Sequence, residues 1–567
     1  MTRKPRSANA TQAAGDVRGD ARELRLQSSW ENLFRGRGRR AIEDVLPAFL
    51  AGQRWFGGKA RRVKEVAIVE AVPVPVGRST FFLLMARVDY FDGGPDTYTL
   101  TLAFATGERA TQLVEREPHR VVAHLRLKGE DGVLHGAFAE EAFGPALLDA
   151  VARRRVLHGI HGDVVGVPGR AFRRLHGPRP LEPSPLGVEQ SNTSLLFGDR
   201  LIFKLFRRVE PGPNPDVEIG RFLTEQAGYP HSPAVAGAIE YRPRKGEPSS
   251  LAIVQQCVAN QGDAWHFTLD AVDRYFERVL DLPPAARTPP ALPGGSLLDL
   301  ARAPIPAEAR ERIGSYLADA RLLGRRTAEL HVALAGGTED PAFAPESFTP
   351  FYQRSLYQSM RNLTEASFSL LRRRLPAVPE PVREPAADLL GRQGEVLERL
   401  RAVLERKITA LRTRVHGDYH LGQVLRSGAD WVIIDFEGEP ALPLSTRRLK
   451  RCPLRDTAGM VRSFHYAAHH GLMGLVARGA LLSEERPELE PWAHHWFAWV
   501  AADFLRGYLD ASRGTAFLPR DREELEALLT VYLLEKAVYE LGYELNNRPE
   551  WVYLPVAGIR QLLEADR

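Results

Sequence analysis

Cysteine is scarce: the chain of 567 residues has two, Cys257 and Cys452, and no C-x-x-C pair. A disulfide framework or a cysteine-based zinc site is therefore not expected, and a reducing compartment is. No apolar run approaches the roughly 18 residues that a membrane span needs, so no membrane partner is expected. The N-terminus is basic but has no apolar core segment, so it does not read as a secretory signal, and the expected location is cytoplasmic. Charge of either sign is nearly balanced, with Lys and Arg at 76 against Asp and Glu at 71. A sequence pI near 9.1 thus reflects a small excess, not a nucleic-acid-binding face. The basic residues are scattered and no aromatic-basic module interleaves them, so nucleic acid is excluded as an expected partner. No internal repeat is present. What the chain does have is 44% hydrophobic residues and enough length for several domain-sized units.

The first 28 residues are rich in Arg, Ala, Gly, Ser and Thr without apolar periodicity, and they read as a disordered extension. Residues 41–50 predict a short amphipathic helix. Runs over 66–76, 80–88 and 97–105 are β-branched or aromatic and bounded by Gly, Pro or Asp, which predicts an antiparallel meander. Between the helix and the meander lie Trp55 and Phe56, read as core, and Lys59 and Arg61, read as solvated. Residues 134–157 predict helix broken at Pro145. A first His161-Gly162-Asp163 follows, read as a turn because no ligand residue stands at the spacing that chemistry requires.

Residues 195–206 hold two apolar runs joined by Gly198-Asp199-Arg200, a β-hairpin pattern. Lys204 alternates with Phe203 and Leu205 in the second run. A lysine in an apolar strand needs an anionic counterpart to offset desolvation, and a nucleotide phosphate fits. Ser191, Thr193 and Ser194, just before the first run, offer hydroxyls and N–H groups to the same phosphates. Asn214-Pro215-Asp216 opens a helix. Glu218 near its start is either an acid favoured by the helix dipole or a carboxylate that positions Lys204. The run over 251–256 predicts a buried strand leading into a hinge, where the backbone of Gln256 and Val258 can meet an adenine edge. Asp263 starts a long helix to about residue 282. Prolines at 283, 284, 289, 290 and 293 mark an exposed insertion, and the rest of the chain reads as helical.

The most informative stretch is 415–440, V-H-G-D-Y-H-L-G-Q-V-L-R-S-G-A-D-W-V-I-I-D-F-E-G-E-P. Its β-branched run reads as a buried strand that delivers Asp435 to its end. His416, Asp418 and Gln423 have the H-x-D-x-x-x-x-(N/Q) spacing of a kinase catalytic loop. Phosphoryl transfer needs such a set: a group to orient the attacking hydroxyl, and oxygen ligands for a magnesium ion on the phosphates. Near the C-terminus, Tyr539 with Tyr543 and Glu540 with Glu544 are both i,i+4 pairs on one predicted helix. Aromatic and acidic stripes side by side suit a sugar; an amphipathic packing helix with a solvated acidic edge has the same pattern. His465 and His469, also i,i+4, suit a metal or simple packing.

Taken together, residues 46–59 (L-P-A-F-L-A-G-Q-R-W-F-G-G-K), 189–194, 205–219, 416–425, 435–440, 454–464 and 535–551 (E-K-A-V-Y-E-L-G-Y-E-L-N-N-R-P-E-W) resemble the bacterial maltokinases. That family makes maltose 1-phosphate from maltose and ATP, and shares the fold of the aminoglycoside phosphotransferases and, more distantly, the protein kinases. The resemblance implies an α+β, bilobal protein-kinase-like chain. Its parts would be an extension over 1–28, an N-terminal α+β cap over 29–130, a nucleotide-binding small lobe over 131–261, and a helical C-terminal lobe over 262–567 with catalytic loop and sugar site. It implies Asp418 as catalytic base, Gln423 and Asp435 as Mg2+ ligands, and Lys204 on the ATP phosphates, held by Glu218. His420, Glu437, Tyr539, Glu540, Tyr543 and Glu544 are the expected sugar-facing residues. The N-terminal extension and the proline-rich 283–295 segment depart from the family pattern. A trehalose-isomerising domain on the same chain is not expected, so maltose would come from a separate trehalose synthase and feed α-glucan or glycogen synthesis. Two other readings stay open: another small-molecule kinase, for glucosamine or an aminoglycoside, and a non-catalytic scaffold of kinase fold.

Overall fold

A computed structural model describes residues 24–27, 29–186, 192–283, 286–482 and 484–564. Most of the N-terminal extension and Ser191 lie outside the described residues. The chain divides into two compact units, Met1–Gly212 with Ala236–Val254, and Pro213–Val235 with Gln255–Arg567.

The first unit is built on two seven-stranded sheets. In one, the order is Leu24–Leu26, Val121–Leu127, Glu130–Gly136, Asp96–Thr106, Ser79–Tyr90 and Val63–Val76, with Arg208–Val209 also paired to Asp96–Thr106. The predicted meander is there, and its middle is covered on both faces: Phe81 to Ala86 and Tyr98 to Ala103 are buried without a break. Val66, Ile68, Leu84, Ala86, Leu100 and Leu102 are buried together with Ile42, Leu46, Leu50, Trp55 and Phe56. Trp55 and Phe56 are core residues, and Arg61 pairs with Asp96 at 3.0 Å. Leu24–Leu26, expected within the disordered extension, instead pair in parallel with Leu125–Leu127. The helix expected over 41–50 is two, Gly36–Glu43 and Leu46–Gly52. The 134–157 expectation also changes: the segment holds the end of strand Glu130–Gly136, helix Phe143–Ala152 and strand Val156–His158. Pro145 falls in the first turn of that helix, where its missing N–H costs nothing, so it opens the helix and does not break it.

The other sheet runs Val156–His158, Gly162–Pro168, Val235–Pro243, Ser249–Gln256, Leu201–Leu205, Thr193–Phe197 and Pro183–Pro185. The hairpin at 193–205 has Ser194 opposite Lys204, and Gly198 takes a φ of 58° at the turn. Leu201, Phe203 and Leu205 are fully buried, so alternation turns Lys204 to the other face. One buried carboxylate serves both sheets. Glu70 on Val63–Val76 accepts from the N–H groups of Ile160 (2.7 Å) and His161 (2.9 Å) and from the Tyr241 hydroxyl (2.7 Å).

The second unit is mostly helix. Asn214 and Asp263 cap helices Pro215–Phe222 and Ala264–Leu280 through their side chains, as their sequence positions predict. The core is formed by long helices, chiefly Tyr316–Ala335, Pro350–Arg374, Leu454–Ala477, Arg486–Ala511 and Arg522–Asn547. Leu454–Ala477 is buried without a break from Asp456 to Ala468. Helices Tyr316–Ala335 and Arg486–Ala511 touch through glycine: a Cβ on Gly324 would lie 2.0 Å from the Phe504 carbonyl oxygen. No described helix is long and apolar enough to cross a membrane.

Candidate functional site

The 415–440 stretch folds as a loop followed by a tight hairpin, Val424–Ser427 with Asp430–Ile433, turned at Gly428 with φ 60°. The hairpin brings Gln423 against Asp435: the Ile434 N–H donates to the Gln423 carbonyl at 3.0 Å, and Gln423 Nε2 donates to Asp435 Oδ2 at 3.0 Å. His416 Nε2 donates to the Ile434 carbonyl at 2.8 Å, which fixes the proton on that nitrogen. Nδ1 is then free to accept the Asp418 N–H at 3.4 Å. Asp435 sits at φ 66°, a left-handed conformation that a side chain rarely adopts and that marks functional turns.

The loop is held from behind by Asp456, in the first turn of helix Leu454–Ala477. Asp456 accepts from the N–H groups of His416 (2.7 Å) and Gly417 (3.0 Å). It also meets His331 Nε2 at 3.2 Å, and His331 Nδ1 meets the Tyr508 hydroxyl at 3.0 Å. Burial by itself would push the Asp456 carboxyl up, but His331, His416 and the Gly417 N–H together hold it below the usual carboxylate range. Asp418 thus projects from a backbone fixed by a buried, ionised acid.

Asp435 is one of three carboxylates, with Asp216 and Glu437, whose ligand atoms lie within 4.8 Å of one another. Asp216 is buried and accepts the Phe436 N–H at 3.0 Å, which ties the start of helix Pro215–Phe222 to the segment after the hairpin. An all-oxygen set of carboxylates with the Gln423 amide suits a hard divalent cation such as Mg2+. Glu437, expected to face the sugar, stands in this cluster. Glu218, read as the partner of Lys204, has other partners within its own unit: Arg414 at 2.7 Å and Arg448 at 2.8 Å. Its burial raises the carboxyl, and the two guanidinium groups reverse that and hold it low. Since Arg414 stands two residues before His416, Glu218 braces the loop.

Asp418 opens on a cavity of about 690 Å³ that His420, Tyr539, Glu540, Tyr543 and Glu544 also line. The acidic stripe is largely engaged. Arg462 donates to Glu540 Oε2 through Nε (2.9 Å) and Nη2 (2.7 Å). Glu544 takes Arg548 at 2.7 and 2.9 Å and the Tyr466 hydroxyl at 3.1 Å. Tyr539 stacks on Tyr543 at 6.4 Å, and Tyr466 on Trp551 at 6.2 Å, so the cavity has two aromatic walls. Burial pushes the Tyr539 hydroxyl up, and Glu439 beside it adds to the effect. Burial likewise holds the His420 imidazole low against the pull of Asp418. Its Nδ1 accepts the Gly422 N–H at 3.1 Å, so the neutral ring carries its proton on Nε2.

Lys204, Thr193 and Ser194 stand in the first unit's hairpin, where Thr193 Oγ1 accepts from Arg207 Nε at 2.7 Å. In the second unit, the Gln256 N–H donates to the Ala234 carbonyl at 2.8 Å, and the Val258 carbonyl accepts from Asn260 Nδ2 at 2.8 Å.

Sequence reasoning missed Asp456 and His331, and also the cavity residues Asp263, Glu439, Trp551 and Lys536. Lys536 was within reach: it precedes Tyr539, Glu540 and Tyr543 by three, four and seven residues, one face of a helix. Its ammonium lies 5.0 Å from the Tyr539 ring centre and has no carboxylate partner among the described residues.

Comparison with known proteins adds the following. Residues 49–142 match the maltokinase N-terminal cap domain. A glucosamine kinase of Streptacidiphilus jiangxiensis is 26% identical over 491 residues, 82% of this chain and 95% of the relative. One from Mycolicibacterium smegmatis is 25% identical over 472 residues, 80% and 95% of the two chains. Among solved structures, glucosamine kinase in complex with glucosamine, ADP and inorganic phosphate matches with a TM-score of 0.58 at 18% identity, over 95% of this chain and 100% of the other. A second crystal form of glucosamine kinase gives 0.59, also at 18%. These structures share the fold.

Proposed function

We propose that this chain, a maltokinase-like phosphotransferase by its cap domain and its fold, phosphorylates a sugar from ATP, and that the sugar is maltose, converted at its anomeric hydroxyl to maltose 1-phosphate. The observation that carries the reading is Asp418 on the wall of an aromatic-lined cavity of about 690 Å³, in the loop that also brings Gln423 to Asp435. The volume lies within the roughly 300–1,000 Å³ of small-molecule sites.

In the proposed reaction Asp418 accepts the proton of the attacking hydroxyl as its oxygen bonds to the γ-phosphorus, and the bond from that phosphorus to the bridging oxygen breaks, releasing ADP. Stacked tyrosines and Trp551 receive the apolar faces of the sugar rings. Glu439 and Glu540 accept hydroxyl hydrogens, and His420 donates from Nε2. Lys204 is assigned to the phosphates, with Thr193 and Ser194, and the backbone at Gln256 and Val258 to the adenine edge. Asp435 and Gln423, with Asp216 and Glu437 nearby, would hold Mg2+, which when bound offsets charge on the phosphates. Most of the acceleration would come from positioning and electrostatics.

Glucosamine is the second reading. The named kinases at 25–26% identity favour it, as do Asp263, Asp418 and Glu439 in the cavity wall, which suit an ammonium. ADP release measured with maltose, glucosamine and kanamycin decides. Turnover with maltose alone supports the proposal; turnover with glucosamine and none with maltose overturns it in favour of the second reading.

A further inference from the structure

The second unit holds another cavity, of about 370 Å³, separate from that at Asp418. Its apolar wall comes from Phe497, Leu529 and Leu533 on two long helices, and from Leu292, Pro293 and Leu298. The proline-rich segment, expected as an exposed insertion, thus closes one side of a pocket. It is docked at its root as well: Trp492 Nε1 donates to the Arg287 carbonyl at 2.7 Å.

Three polar groups stand in this apolar wall. Gln561 Nε2 donates to His494 Nδ1 at 2.8 Å, leaving the His494 proton on Nε2. Burial holds that imidazole low, so it is a neutral donor. The third group is Arg462, which is 3% exposed. Its Nε and Nη2 hold Glu540, and its Nη1 has no hydrogen-bond partner among the described residues. Nη1 packs over Gly558, where a Cβ would fall 2.2 Å from it, so only glycine leaves room for the guanidinium there. The acids at this cavity, Glu526 and Glu564, lie beside Arg522 (3.9 Å) and Arg392 (3.3 Å).

A buried cation with an unused N–H, a neutral imidazole donor and an apolar enclosure define one ligand chemistry. We propose that this cavity binds a small carboxylic acid with an apolar body, its carboxylate on Arg462 and His494 and its body against Phe497, Leu529 and the 292–298 segment. The same guanidinium holds Glu540 in the wall of the sugar cavity, so the two sites compete for one cation. An anion on Arg462 weakens its hold on Glu540, and loss of the Glu540 charge strengthens the anion.

Titration calorimetry with octanoate, and with octanol as the uncharged control, tests this without any assay of turnover. The expected result is one saturable octanoate site, none for octanol, and loss of binding in Thr530→Trp, which fills the cavity from helix Arg522–Asn547. Glu540→Gln is expected to tighten octanoate by about fivefold or more, in the range of ordinary site-to-site coupling. Diffraction from crystals soaked in bromo-octanoate locates the bromine independently, should Thr530→Trp fail to fold. Absence of saturable binding, or bromine found elsewhere, overturns the site. Unchanged affinity in Glu540→Gln overturns the coupling.

Discussion

The chain writes His-Gly-Asp twice, and the two copies fold to different ends. In both, a buried carboxylate from another element holds the backbone: Glu70 takes the N–H groups of Ile160 and His161, and Asp456 takes those of His416 and Gly417. Both glycines are obligatory, for different reasons. A Cβ on Gly162 would lie 2.5 Å from the Arg242 carbonyl oxygen across the sheet, whereas Gly417 needs its φ of 88°. The aspartates then part. Asp163 enters a strand, 45% exposed, and pairs with His158 at 2.9 Å. Asp418 stays in a loop, opens on a cavity and is followed by the turn that presents Asp435. The tripeptide is therefore backbone that a buried acid can pin at its start; the chemistry proposed for the second copy rests on what the next twenty residues place beside it.

The largest way to break this comparison is at the aspartates. Asp418→Asn should reduce sugar phosphorylation by about 10³-fold or more, the upper range for loss of a general base, while ATP still binds by calorimetry. Wild-type turnover in that variant would remove Asp418 from the proposed chemistry. The next effect lies in the two supporting acids. Asp456→Leu and Glu70→Leu each strand buried N–H donors, at about 1–3 kcal/mol per donor, so urea denaturation should show a loss of several kcal/mol in each. Only Asp456→Leu should also lower kcat, measured where the protein remains folded. An equal fall in kcat for both would mean that the difference between the loops is one of stability alone.

Much of this was legible in the sequence where one local rule decides. β-Branched and aromatic runs bounded by turn residues marked the strands over 66–105, Gly198-Asp199-Arg200 the hairpin of Lys204, and Asn214 and Asp263 the helix starts. The long C-terminal helices followed from apolar spacing. Where Glu437 stands was not legible, because positive φ at Asp435 (66°) and Gly438 (71°) breaks the alternation that a strand would keep. Two acids two residues apart then part company: Glu437 joins the Asp435 cluster and Glu439 the cavity. Asp456 was illegible because an acid in a helix first turn has a sufficient local explanation in the helix dipole. Its actual partners are 39 to 125 residues away. Glu218 had the same ambiguity, and its arginines lie some two hundred residues downstream.

A smaller effect separates the loops by pH. Helix Leu454–Ala477, which carries Asp456, also carries the buried His465 and the partly buried His469. Burial first, then the nearby His494 and Arg462, push His469 down to about 3. A histidine that is neutral in the fold takes up protons preferentially when unfolded. Its stabilising contribution is therefore complete above the unfolded pKa of about 6.5 and is lost as pH falls from there toward its folded value. Stability from urea denaturation should decline between about pH 6.5 and pH 4, and His469→Gln should make that decline shallower. An unchanged slope would show that this histidine is already charged in the fold.

The smallest effect is the most diagnostic of the first copy. His158 is 79% exposed and Asp163 45%. A pair so open to water is screened and contributes between zero and about 1 kcal/mol. Asp163→Asn keeps the shape of the side chain and removes only this charge, so denaturation should shift by about 0.5 kcal/mol or less. Sugar phosphorylation should be unchanged, because the backbone of that turn is held by Glu70 through N–H groups that the substitution does not touch. A marked loss of turnover in Asp163→Asn would mean that the first copy takes part in chemistry, and the reading of it as a pinned turn would fail.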